Sequence, residues 1–315
     1  MFSKRVGAYS LCAWMICGMF ALASQYTAGM NWLMILLGGA FCLLLTWCNL
    51  VLHEGEICKR KWYCVVQFLF VTAVTAVSAR WTAQTWPTGT AFPVVPLALL
   101  LIAMFSVWHG AWRASGVGGV VFWMILLLFA IVLTAGIQSV KLQYLAPRLE
   151  EQGSPLFLVF LFPAVITFLP REGATCYTKT LLAALVLGLV LSVLTVGTLS
   201  SRMAVKDPFP FYTFSKSLSL LGVAERFEAL VSVALTLGQF CLLSMLLGCA
   251  GHLAHTVQPG KGRAGVAVCA VSAASLMVFA GEIPPDWLGG GALLFWGILP
   301  LIFRNTVSAK KRKKS

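Results

Sequence analysis

Five polar residues recur at helical spacing inside an otherwise apolar stretch: Glu225, Glu228, Ser232, Thr236 and Gln239. Steps of three and four residues, each turning about 100°, keep them within an arc of about 80° on one helix face. At 1.5 Å rise per residue the stripe runs about 21 Å. Carboxylates, hydroxyls and an amide in one line offer hydrogen bonds along its length and negative charge at one end. Lipid gives such a face no partner, so it must look onto protein or a water-filled cavity. The chemistry it fits is recognition of a small polar ligand or a cation. The two carboxylates stand at the N-terminal end, where the helix dipole favours them. Glu225 reads as a capping group. Glu228 is the better site candidate, and the alternative is a structural pairing with Arg or backbone.

A weaker polar face is formed by Gln67, Thr75 and Ser78, again within about 80°, and ordinary interhelical hydrogen bonding is the better account of it. The other reactive residue types point nowhere in particular. Ten cysteines sit mostly inside apolar runs, and none forms CxxC or stands at ligand spacing from a histidine. Buried cysteine behaves as a small apolar residue, so neither a disulfide framework nor a metal site is expected. His53, His109, His252 and His255 form no recognised catalytic constellation. The chain is therefore read as a protein without cofactor and not as an enzyme.

The elements that must position these residues follow from composition. Of 315 residues 59% are hydrophobic and 10% charged, against about 25% charged in a soluble protein. Mean hydropathy is +0.89. Crossing about 30 Å of hydrocarbon takes about 20 apolar residues, and each crossing must be a helix because lipid cannot satisfy an open backbone. The runs are Ala8–Ser24, Asn31–Leu52, Trp62–Ser78, Ala91–Trp108, Gly116–Ile137, Pro155–Leu169, Thr178–Ser200, Glu225–Ala254, Ala264–Gly281 and Trp287–Phe303. The first has the look of a signal peptide, but the runs behind it favour an uncleaved span. The expectation is an all-α polytopic membrane protein of about 10 transmembrane helices.

Basic residues orient it. With the N-terminus inside, 16 of the 23 Lys and Arg fall on inner segments, among them Lys59, Arg60, Lys61 and the tail Lys310–Lys314. This places both termini in the cytoplasm. The net charge of +13 then reads as a topology anchor that touches anionic lipid, with no nucleic acid as partner. One transmembrane domain fills residues 1–315: a first repeat at about 8–137, a second at about 155–303, and a basic cytoplasmic tail at 304–315. Two long outer segments join spans five and six and spans seven and eight. The second, with Asp207-Pro208-Phe209-Pro210-Phe211, reads either as a helix lying in the membrane interface or as an ordered loop with no binding role.

Two spans look breakable. The first carries Gly18, Ala21, Ala23, Ser24 and Gln25, and the sixth carries Pro163 before Ala164, Val165, Ile166 and Thr167. A proline inside a helix removes one backbone bond and clashes with the preceding turn. Unwound helices free carbonyls and amides for ligand near the membrane centre, as in transporters built from inverted repeats. Five spans per half invert the second half automatically, and the breakable helices are then the first of each half.

These residues support a family comparison. Thr27-Ala28-Gly29-Met30-Asn31-Trp32, Trp86-Pro87-Thr88-Gly89-Thr90, His109-Gly110 through Trp112-Arg113, and Phe209-Pro210 through Ser217-Leu218-Ser219 followed by Glu225-Arg226-Phe227-Glu228-Ala229-Leu230 resemble, in order, motifs of the spore germination receptor B subunits. The chain departs from that pattern at Asn31, where the family has Asp, and at Lys216, where it has Arg. The resemblance implies the fold of the amino acid–polyamine–organocation transporter superfamily, a 5+5 inverted repeat of the LeuT-like kind. It implies a nutrient germinant receptor subunit that binds a small nutrient such as an amino acid, assembles with receptor A and C subunits, and resides in the inner membrane of the spore. The implied pocket uses Gly18, Ala21 and Ser24, then Thr75, then Pro163, Val165, Ile166 and Thr167, and finally Glu228, Ser232 and Thr236. A secondary transporter of amino acids or polyamines is the alternative.

Overall fold

The computed structural model describes residues 16–18, 20–21, 32–52, 60–84, 94–109, 111–146, 171–207, 210–217, 227–279 and 285–299. Among them every regular element is helical: α1 (Trp32–Leu52), α2 (Lys61–Gln84), α3 (Val94–Trp108), α4 (Ala111–Gly136), α5 (Arg171–Leu199), α6 (Ser201–Lys206), α7 (Pro210–Ser217), α8 (Phe227–Val257), α9 (Gly262–Phe279) and α10 (Pro285–Ala292). Two 3-10 turns, Ile137–Ser139 and Leu142–Leu145, follow α4, and a π-helical stretch, Leu293–Ile298, continues α10.

Among the described residues, four segments are long and apolar enough to cross a membrane: Lys61–Arg80, Gly116–Ser139, Lys179–Leu199 and Ala229–Val257. Ile35–Leu44, Val94–Trp108 and Gly262–Val278 are shorter apolar helices. These seven coincide with the second to fifth and the seventh to ninth of the apolar runs. The sixth run, and most of the first, lie outside the described residues. Pro93 and Pro96 do not interrupt the fourth run, because α3 starts at Val94. Pro96 falls in its first turn, where a missing N–H leaves no bond unmade.

The most buried of these segments lies in α8 and the least buried in α4. From Gly238 to Gly251 every residue of α8 is buried, as expected of a helix that is apolar all round and surrounded by others. Helix α8 packs on α2, α9, α3, α4 and α7; α2 packs in addition on α9 and α3; α1 pairs with α5. The core is made of residues such as Val71 and Val74 of α2, Ala103 of α3, Leu242 and Leu246 of α8 and Ala273 of α9. Helix α4 turns Val120, Trp123 and Leu127 outward, an apolar surface suited to lipid.

The described residues that follow α4 and α5 are tied to the helices. The 3-10 segment lies on α5, with Lys141 donating its backbone N–H to Gly197 O at 2.8 Å. Trp32, one of the residues in the family comparison, donates its indole N–H to Leu145 O at 2.8 Å and so ties α1 to this segment. Between α5 and α6, Ser200 takes φ 68° and ψ 150°, a conformation that only glycine adopts without strain. Helix α7 is amphipathic, as the sequence predicts, but its apolar face does not rest on a membrane surface. Phe211 and Phe214 are buried against protein.

Candidate functional site

The site is set by how the first span meets α8. The described residues of that span, 16–18 and 20–21, are helical and lie across the middle of α8. A Cβ built on Gly238 would stand 2.8 Å from the Cys17 carbonyl oxygen and 3.0 Å from Ala21 Cβ. A Cβ on Gly18 would meet the Leu242 side chain at 3.3 Å. Glycine at these two positions is what lets the backbones approach so closely, as small residues do between membrane helices. Of the stretch 18–25 read as breakable, Gly18, Phe20 and Ala21 are described. Gly18 and Ala21 are in helix, and Gly18 serves close packing rather than a break. Leu22 and Ala23 lie outside the described residues. Cys17 completes the contact on the other side, with its thiol directed at Gly118 O of α4 at 3.8 Å.

Ser232, Thr236 and Gln239 share one face of α8 that is turned from this crossing: at 100° per residue Gln239 stands about 100° from Gly238, Ser232 about 120° and Thr236 about 160°. Successive 100° steps put them within about 60° of one another and over about 10 Å of helix length. Gln239 neighbours Gly238 in sequence, so the amide leaves the helix about a quarter turn from the span-one contact. Glu228 lies in the first turn of α8.

Most hydroxyls inside the spans are satisfied by their own helix. Thr72 donates to Phe68 O at 2.8 Å, Thr75 to Val71 O at 2.7 Å, Thr195 to Leu191 O at 2.7 Å and Thr236 to Ser232 O at 2.8 Å. This back-bonding to the fourth residue before is the standard recourse of a hydroxyl in an apolar helix. Thr75 is wholly buried and stands with Thr72 beside the Cys269 thiol of α9, so it serves the α2–α9 contact. Ser24, Pro163, Val165, Ile166 and Thr167 lie outside the described residues.

The two buried amides of the core behave differently. Gln67, 2% exposed, donates from Nε2 to Phe295 O at 2.6 Å, and Tyr63 directs its hydroxyl at the same carbonyl at 3.4 Å. Phe295 belongs to the π-helical stretch, where the ladder shifts from four residues to five and a carbonyl is free to accept from outside. Gln67 is thus a structural tie between α2 and the last span, the ordinary interhelical bond that the sequence allowed. Gln239 is 0% exposed, and neither its Oε1 nor its Nε2 has a hydrogen-bond partner among the described residues. Sequence periodicity had placed Gln239 in the stripe but gave no reason to prefer it over the hydroxyls as a ligand contact.

Helix α7 closes one end of this region. Phe211 meets Phe20 of the first span edge to face, with ring centroids 6.0 Å apart. Phe214 sits beneath it, its ring against Gly136 of α4. Thr213 donates to the Asp207 carboxylate, and Lys216 lies over the Tyr212 ring at 4.6 Å. These contacts hold the short helix as a cap over the junction of the first span, α4 and α5.

No family model matches the chain, and no curated protein matches it. Solved structures do. One is the closed conformation of Mhp1, a nucleobase-cation-symport-1 family transporter, with bromovinylhydantoin bound. It is 15% identical, with a TM-score of 0.53 over 91% of this chain and 75% of that one. The likeness is one of fold. This chain is a multi-pass membrane protein with a transporter-like helical fold, and the neighbouring fold is a transporter's rather than an enzyme's.

Proposed function

We propose that this chain binds a small polar nutrient at the polar face of α8, near Gln239, and acts as the nutrient-binding B-type subunit of a spore germination receptor. The observation that carries the binding reading is the fully buried amide of Gln239, unpartnered among the described residues, about a quarter turn from the seating of the first span on Gly238 and Leu242, inside a fold shared with a cation symporter. Binding would act by favouring one of two conformations, which requires different affinity for each. The germination role rests on the motif resemblance, which places partner A and C subunits and the spore inner membrane with it.

The helix contacts support the 5+5 arrangement that this reading needs. In the span numbering of the sequence, α1–α5, α2–α8 and α3–α9 are spans 2–7, 3–8 and 4–9, each packed on the span five later. The contacts α2–α9 and α8–α3 are spans 3–9 and 8–4, which exchange when each span is replaced by its counterpart. The α8–α4 contact has its counterpart in the Gln67 tie to the last span. A chain of two equivalent halves related by a two-fold axis gives such a map.

Transport of the same nutrient is the second reading, favoured by the symporter likeness. Both are tested on the purified chain with a labelled panel of amino acids and sugars, wild type beside Glu228→Gln and Thr236→Ala. Saturable binding that weakens at least tenfold in either variant, with the helical content kept, is the expected result. Uptake into liposomes above empty vesicles would favour transport, and binding without uptake would favour the receptor. Folded protein that binds no member of the panel would overturn both.

A further inference from the structure

We infer that Gln239 is the polar anchor of the binding cavity, and that the ligand group it takes is a neutral amide-type edge, as in a carboxamide, lactam or imide. The inference rests on the nutrient-binding reading and narrows the substrate class.

Gln239 stands near the centre of α8, about 18 Å along the helix from Phe227 at 1.5 Å per residue. It is fully buried, with both polar atoms unpartnered among the described residues. Buried amides are nearly always hydrogen-bonded, and one left open in a low-dielectric interior signals a missing partner. The contrast with Gln67 is direct. That amide, equally buried, is held at 2.6 Å by a carbonyl released for the purpose. Thr236, on the same face, donates to its own helix and makes no bond to the amide.

The chemistry of the complement follows from the amide. Its carbonyl accepts and its NH2 donates, side by side in one plane. The group that satisfies both at once presents a donor beside an acceptor, as a primary carboxamide, a lactam or an imide does. Charge is disfavoured there. No Asp, Glu, Lys, Arg or His occurs in 229–251 of α8, 62–79 of α2, 94–108 of α3, 114–140 of α4 or 264–280 of α9, and the one charged residue of α7, which also packs on α8, is the exposed Lys216 over the Tyr212 ring. None of these residue types occurs in 16–23 of the first span either. A carboxylate or ammonium reaching Gln239 would be buried without an opposite charge, which is far more costly than burying a neutral amide that is hydrogen-bonded.

The test uses the full chain in detergent, with L-glutamine and uracil as probes that carry the edge and L-glutamate and L-norvaline as probes that lack it. Wild type is compared with Gln239→Met, which keeps the length of the side chain and removes both polar atoms. L-Glutamine or uracil should bind wild type at least tenfold more tightly than the probe of similar size without the edge. That preference should vanish in Gln239→Met, whose ligand-free thermal midpoint should equal or exceed that of wild type. Three results overturn the inference. Gln239→Met less stable than wild type without ligand would mean that the amide has a structural partner. L-Norvaline or L-glutamate binding as tightly as L-glutamine would leave the nutrient reading intact and remove the amide-edge class. No binding by folded wild type to any of the four or to the wider panel would remove both.

Discussion

Adding one methyl group at Gly238 tests the contact on which the site depends. The Cβ of Gly238→Ala would stand 2.8 Å from a backbone oxygen, Cys17 O, and 3.0 Å from Ala21 Cβ, where ordinary contact begins at 3.4 Å. The first span must then retreat by roughly 0.6 Å, and because the nearest atom is backbone no side-chain rotation relieves the clash. Overpacking of this kind costs about 1–3 kcal/mol, and the rigid neighbour puts this site in the upper half of that range. Alanine also favours helix over glycine by about 1 kcal/mol, which partly hides the penalty. Gly119→Ala in α4 removes that ambiguity, since nothing lies within 4 Å of its Cβ position and the propensity gain is the same. The difference between the two variants is then the packing penalty alone, about 2–3 kcal/mol, or roughly 30- to 150-fold in the unfolding equilibrium. Reversible unfolding in mixed detergent, followed by circular dichroism, measures it. Equal stability of the two variants, within about 0.5 kcal/mol, would mean that the first span does not lie on α8 at Gly238, and the site would have to be rebuilt elsewhere.

Two further outcomes follow from the structure. Gln67→Leu removes the 2.6 Å bond to Phe295 O and should destabilise by about 1–3 kcal/mol in the same unfolding assay; a neutral result would mean that the π-helical carbonyl has another donor. Ser200→Gly should stabilise the protein by about 1 kcal/mol, because it relieves the strain of φ 68° at the α5–α6 junction; a loss of stability would show that the serine conformation is not strained.

The membrane dictates what the sequence makes legible. A helix that crosses lipid must be apolar over a fixed length, so α1 to α5, α8 and α9 each coincide with a run that can be read directly. What covers a face is not written in that face. Helix α7 has the pattern of an interfacial helix, yet its aromatic side is buried because Phe20, far away in sequence, lies across it. Gly18 carries the same uncertainty: a glycine among small residues signals a break or a close approach equally well, and the Leu242 side chain beside it decides for the second.

The amides make the point most sharply. Gln67 and Gln239 are indistinguishable in sequence, each a lone glutamine on a polar stripe in an apolar helix. Their difference lies in their partners. The carbonyl that satisfies Gln67 exists because the last span shifts its register at Leu293–Ile298, and no residue in Leu293-Leu294-Phe295-Trp296-Gly297-Ile298 announces that shift. Hydroxyls hide in the opposite way, since Thr75 and Thr236 look available in sequence but spend their protons on their own helices. A glutamine side chain, longer and with two polar ends, lacks that recourse in a regular helix and must be met from outside. A polar stripe therefore locates a face, but the group that reads the ligand is the one whose hydrogen bonds the fold leaves unmade. In α8 that group is the amide of Gln239.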